Sequence, residues 1–125
     1  MQLLYVTIFG GLGCASRYLV TLGTQHLFGR AFPYGTLLVN VVGSFLLGLL
    51  LTLGFRQLPL SRELYMGLTV GFMGGFTTFS AFSYQSLMLF EEGHLWGAAV
   101  NILLNVVLCL LAVVAAVAMA RQFAG

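Results

Sequence analysis

Apolar residues fill this chain in four long stretches, and polar residues gather in the short gaps between them. The stretches run Gln2–Leu27, Tyr34–Gly54, Arg62–Phe90 and Leu95–Ala120. Each meets the requirement of roughly 20 apolar residues for a helix that crosses a hydrocarbon core. The connectors are Phe28–Pro33, Phe55–Ser61 and Glu91–His94, with turn or charge signals at Phe32-Pro33, Leu58-Pro59 and Glu91-Glu92-Gly93. The pattern predicts an all-α membrane protein, a single four-helix transmembrane domain over residues 1–125.

The third stretch breaks the apolar pattern from within. Gly71-Phe72-Met73-Gly74-Gly75-Phe76-Thr77-Thr78-Phe79-Ser80-Ala81-Phe82-Ser83 places a glycine pair, a cluster of hydroxyls and two spaced aromatics at membrane depth. A glycine pair loosens a helix, and hydroxyls satisfy the backbone groups that loosening frees. Such a break is tolerated only where protein or a water-filled cavity surrounds it. A broken third helix around Gly74-Gly75 is therefore expected, at a site that binds or passes something.

Composition sharpens the membrane assignment. The chain is 60% hydrophobic and 6% charged, its mean hydropathy is +1.03, and it has no Lys and no Asp. A soluble domain carries about a quarter charged residues, so there is too little polar surface here for a water-facing exterior. The first residues lack the basic n-region and small-residue cleavage site of a secretory leader. Cys14 and Cys109 are isolated inside apolar segments and read as small packing residues.

Four spans put both termini on one side, together with Arg56, Arg62 and Arg121; Arg30 lies opposite, with Arg17 nearby inside the first span. Positive charge thus favours cytoplasmic termini by only one or two residues, and so balanced a chain could insert both ways. Gly67, Gly71 and Gly75 recur every four residues, as do Asn40, Ser44 and Gly48. Such stripes allow close helix approach; they could serve packing within one chain, but the expected minimum unit is an oligomer.

Several intramembrane polar residues are candidates for chemistry. Arg17 costs at least about 2.5–3.5 kcal/mol near mid-membrane; it either snorkels as an anchor or supplies a fixed positive potential that draws anions to a pore mouth. Asn40 follows a proline-led start of the second span and either bridges helices or offers amide donors to a ligand. Phe79 and Phe82 share a face if the helix resumes after the break, with Ser80 and Ser83 beside them. Aromatic rings have positive edges, which suits a desolvated halide. Asn101, Asn105 and Cys109 form one stripe that either zips helices or lines a donor-rich track. His26, His94, Glu63, Glu91 and Glu92 lie near span ends and read as interfacial or solvated. No nucleophile–base pair, metal cluster or phosphate loop suggests an enzyme.

Three patches together bring a family into view: Gly10–Tyr18, Tyr34–Gly48 and Gly71–Ser83. With the four-span layout, the chain resembles the Fluc, or CrcB-type, fluoride channels over essentially its full length. The resemblance implies an antiparallel homodimer in a bacterial inner membrane, bathed in lipid. It also implies two pores, passive fluoride export that confers fluoride resistance, and no nucleic-acid partner. It assigns the pore asparagine to Asn40, the two ring-edge aromatics to Phe79 and Phe82, the neighbouring hydroxyl to Ser80 and the first-span arginine to Arg17; Ser83, Asn101 and Asn105 join the expected pore lining. A structural sodium ion at the dimer centre would be held by the backbone carbonyls of Gly74 and Thr77 from each copy. Three positions depart from the family pattern: Ala81 stands where a threonine is common, Gln85 where a glutamate often is, and Asn101 and Asn105 where tyrosine and serine often are. The competing readings are a small multidrug-type, proton-coupled transporter, which lacks an embedded carboxylate here, and a non-transporting assembly subunit.

Overall fold

The computed structural model describes residues 1–124. Its elements are α1 (Gln2–Phe28), α2 (Tyr34–Gln57), α3 (Arg62–Met66), a π-helical stretch (Gly67–Phe72), α4 (Met73–Phe76), α5 (Ser80–Glu91) and α6 (Leu95–Ala124). The protein is all-helical, and α1, α2 and residues Leu95–Phe123 of α6 are each long and apolar enough to cross a membrane. The third stretch is instead a composite: α3, the π-helical stretch and α4 run on without a gap, and α5 follows after three non-helical residues, 77–79.

Helix ends fall close to the expected boundaries, for local reasons. Ser61 caps α3 by accepting the Leu64 N–H at 3.1 Å, a side-chain answer to one of the free donors at a helix start. Gly29 ends α1 with φ of 82° while its N–H reaches back to Gln25 O. At Gly54 (φ 74°) α2 kinks before its last few residues. Only glycine enters this left-handed region without strain.

The break lies later than the glycine pair. Gly74 and Gly75 remain inside α4, and the chain becomes extended at Thr77 (φ −88°, ψ 162°). The glycines serve close approach instead. A Cβ on Gly71 would lie 2.7 Å from Val6 O, one on Gly75 would overlap Gly10 O, and one on Gly13 would overlap Phe72 O. Thus the Gly67/Gly71/Gly75 stripe, expected to point to an oligomer, packs α1 against the third stretch within one chain. The wide turns of the π-helical stretch lie along this seam, as π segments often do near functional sites.

Elsewhere α2 lies along α6, and α5 also packs on α6. The buried apolar core is small: Val39, Met73 and Phe76, edged by Val20, Leu47, Leu50 and Phe72. Large apolar side chains such as Leu3, Leu19, Leu110 and Phe123 face outward, the arrangement suited to a lipid solvent.

The glycine seam yields a direct test. Gly75→Val should lower stability in detergent by about 1–3 kcal/mol or more, because the added carbons meet α1 backbone that cannot yield. Gly11→Ala, where a Cβ meets nothing within 4 Å, should be near neutral. Equal melting temperatures for the two variants would contradict the packing described.

Candidate functional site

The break at residues 77–79 is fixed by a side chain from another helix. Asn40, on α2, accepts the Thr78 N–H at 2.8 Å and donates to Thr78 O at 2.9 Å. One carboxamide thus satisfies both backbone groups of a residue that has left the helix, which an apolar setting demands. Thr78 then caps α5, its Oγ1 accepting the Ala81 N–H at 3.2 Å.

These two substitutions have a consequence for the carbonyls. In a continuous helix Thr78 N–H would bond to Gly74 O, and Ala81 N–H to Thr77 O. Both donors are diverted, so the carbonyls of Gly74 and Thr77 are released from the helical ladder. Gly74 is also exposed, with open space beside its Cα. The third nearby carbonyl, Gly75 O, accepts from Arg17 Nε at 2.9 Å. Half-buried Arg17 therefore sets its charge against the C-terminal end of α4, where the helix dipole favours a cation.

The second N–H of Asn40 starts a chain of amide bonds. It donates to Asn105 Oδ1 at 3.0 Å; Asn105 Nδ2 donates to Asn101 O at 2.8 Å and Asn101 Oδ1 at 3.1 Å; Asn101 Nδ2 donates to Ser86 Oγ at 2.8 Å; and Ser86 Oγ donates to Phe82 O at 2.8 Å. Every link points the same way, so each bond polarises the next. The ladder joins α2, α6 and α5, and it is well shielded: Asn101 is 0% exposed and Asn105 5%.

One open cleft of about 360 Å³ gathers half of the candidates. Asn40, Thr77, Phe79, Phe82 and Asn105 all line it, together with Ser44. Phe79 and Phe82 sit side by side, ring centroids 5.3 Å apart and planes tilted by 59°. They differ sharply in setting, Phe82 being 7% exposed and Phe79 77%. Ser80 and Ser83 are exposed beside Phe79, and Ser83 Oγ donates to Phe79 O at 2.9 Å. Asn101 stands behind Asn105, away from the cleft, and Arg17 stands on the other side of the break.

Sequence reasoning missed Thr78 as both partner and cap, and Ser86 as the end of the ladder. Ser86 carried a weak signal: it lies four residues after Phe82, on the same helical face. Nothing in the sequence paired Asn40 with Thr78, because that contact joins residues 38 apart. Among the described residues no group of three His, Cys, Asp or Glu side chains could hold a metal ion.

Comparison with known proteins adds a family. The profile described as "CrcB-like protein, Camphor Resistance (CrcB)" matches residues 4–117. A protein of Geobacter sulfurreducens named "Fluoride-specific ion channel FluC" is 49% identical over 120 residues, covering 96% of this chain and 97% of that protein. One of the same name from Syntrophotalea carbinolica is 52% identical over 122 residues, 98% and 99% of the two chains. A third, from Geotalea uraniireducens, is 50% identical over 107 residues, 86% of each.

The double bond between Asn40 and Thr78 predicts an asymmetric response to substitution. Asn40→Asp keeps the acceptor for Thr78 N–H but faces Thr78 O and Asn105 Oδ1 with a carboxylate. It should cost at least about 1–3 kcal/mol in thermal unfolding. Ser83→Ala, on the exposed side, should cost under about 0.5 kcal/mol. An Asn40→Asp protein as stable as the parent would refute the clamp.

Proposed function

The chain belongs to the CrcB-like family, and from that premise we propose that it is a fluoride-selective channel through which fluoride leaves passively down its gradient. It is an integral membrane protein and not an enzyme. The observation that carries the reading is convergence: Asn40, Phe79 and Phe82, which the family resemblance marks as pore residues, line one cleft with Asn105 beside a broken helix.

Fluoride is small and strongly hydrated, so a dry passage must replace its water shell, the demand that governs other selectivity filters. In this reading the Ser80 hydroxyl and the positive ring edges of Phe79 and Phe82 face the ion, with Ser83 beside them. Both amide hydrogens of Asn40 are engaged by protein. Asn40 acts by fixing Thr78 and, through Asn105 and Asn101, by aligning a polarised wall; an ion reaching it would compete for those hydrogens. Arg17 adds fixed positive potential close to the break. A narrow bore between the assembled copies would then exclude chloride by size, and no conformational cycle or energy input is needed.

The assembled unit we propose is an antiparallel homodimer with two pores in a bacterial inner membrane, the interrupted third stretch serving as a fourth crossing. The nearly balanced charge supports it, as do the many large apolar side chains that face outward. A sodium ion at the dimer centre fits the residues present: Gly74 O and Thr77 O are free of the helical ladder, two copies would offer four such oxygens, and oxygen ligands suit hard cations. Bound there, sodium would brace the two copies and add positive potential.

Purified protein in liposomes should release fluoride much faster than chloride under matched gradients, read with ion-selective electrodes. Comparable chloride release, or dependence on a proton gradient, would reject the assignment. Phe79→Ile should cut fluoride release by about tenfold or more, roughly the loss of one ring-edge contact of 1.4 kcal/mol; an unchanged rate would remove Phe79 from the path.

A further inference from the structure

Most polar groups on the cleft at the break have no hydrogen left to give. Both amide hydrogens of Asn40 go to Thr78 O and Asn105 Oδ1, and Asn105 Nδ2 is turned to Asn101 O and Oδ1. Thr77 Oγ1 donates to Met73 O at 2.9 Å. A hydroxyl has a single hydrogen, so Thr77 offers the cleft only lone pairs, which repel an anion. Among the described residues two hydroxyl hydrogens on this lining stay uncommitted, those of Thr78 and Ser44. Thr78 Oγ1 accepts from Ala81 N–H and keeps its own hydrogen at the level of the break. Ser83 and Ser86 each donate to the carbonyl one turn back, whereas Ser44 makes no such bond to Asn40 O. Ser44 is half-buried, and among the described residues Gln85 Oε1 is the side-chain oxygen that is both enclosed and unpaired. The Ser44 hydroxyl is therefore open to the cleft.

Its level in the membrane follows from the helix pairing. Asn40 bonds to Asn105, and two turns further on Gly48 lies against Val113 and Ala116, so α2 and α6 run in the same direction. Residues four beyond the bonded pair, Ser44 and Cys109, thus stand level with each other, about 6 Å along the axis, and both line the cleft. The rest of the wall there, Val106 and Leu110, is apolar. A polar group left without a partner in such a setting is costly, and a thiol is only a weak donor. We propose that Ser44 coordinates fluoride, as a donor station one helical turn beyond the break that receives the ion from the ring edges of Phe79 and Phe82. It does so without displacing any hydrogen bond of the Asn40–Thr78 pair or the amide ladder. The inference rests on the channel reading and extends the path along the α2–α6 groove, away from the 29–33 connector.

Fluoride release from liposomes tests the station, comparing the parent, Ser44→Ala, and Ser44→Ala combined with Cys109→Ser. Ser44→Ala removes no bond within the protein, so its melting temperature should match the parent's. Its fluoride release should nonetheless slow by about tenfold or more, the effect of one lost hydrogen bond to a charged partner. Cys109→Ser supplies a hydroxyl at the same level from the facing helix and should restore most of the parent rate. If Ser44→Ala fails to fold, Ser44→Cys, which keeps the shape but donates weakly, should show a smaller slowing. Release equal to the parent's in a folded Ser44→Ala or Ser44→Cys protein, or a slowing that Cys109→Ser leaves in place, would overturn the station and leave Thr78 as the hydroxyl donor of the cleft. A parent protein that releases no fluoride would instead reject the channel reading, and the station with it.

Discussion

A backbone that leaves its helix inside a membrane has no water to bond to, and here a single carboxamide answers for it. Asn40 pairs with both the N–H and the C=O of Thr78, and the rest of the site follows from that pairing. With Thr78 held out of the helix, α5 starts afresh at Ser80, capped by Thr78 itself. The restart places Phe79 on the outside and Phe82 within. It also releases two carbonyls, at Gly74 and Thr77, that a continuous helix would keep bonded. A leucine at position 40 would leave two unpaired backbone groups at membrane depth, each costing several kcal/mol.

The clamp is itself held. Asn40 stands at the head of a one-directional run of amide and hydroxyl bonds through Asn105 and Asn101 to Ser86 and Phe82 O. The run fixes the orientation of each carboxamide, because reversing one would set donor against donor. On the opposite side, the glycine seam lets α1 approach closely enough for Arg17 to reach Gly75 O. The broken backbone is therefore gripped from two directions, by neutral amides on one flank and a cation on the other. A site so constrained can present ring edges and hydroxyls to a dehydrated ion without rearranging.

Much of this was legible in the residue order. The long apolar stretches announced their helices, since length and hydropathy alone decide them, and the ends at Phe28 and Tyr34 lie within a residue of expectation. The existence of a break was legible from the hydroxyls. Its position was not, because Gly74 and Gly75 were read for their flexibility when the structure uses them for their size: Gly75 stays helical against Gly10 and Cys14. Asn101 and Asn105 left two readings open, helix zipper or polar track. Asn101 is wholly buried in the ladder, whereas Asn105 both bonds within it and faces the cleft. Such a distinction depends on tertiary packing, which periodicity on one helix does not carry.

The central claim is that clamp and ladder act as one unit that shapes the conduction path. A double-mutant cycle on fluoride release, with Asn40→Ala, Asn105→Ala and the pair, tests it most directly. The account predicts strong non-additivity: each single change slows release, the double change does little more, and the coupling is at least about 1 kcal/mol. Strictly additive effects, or release indifferent to Asn105→Ala, would contradict it.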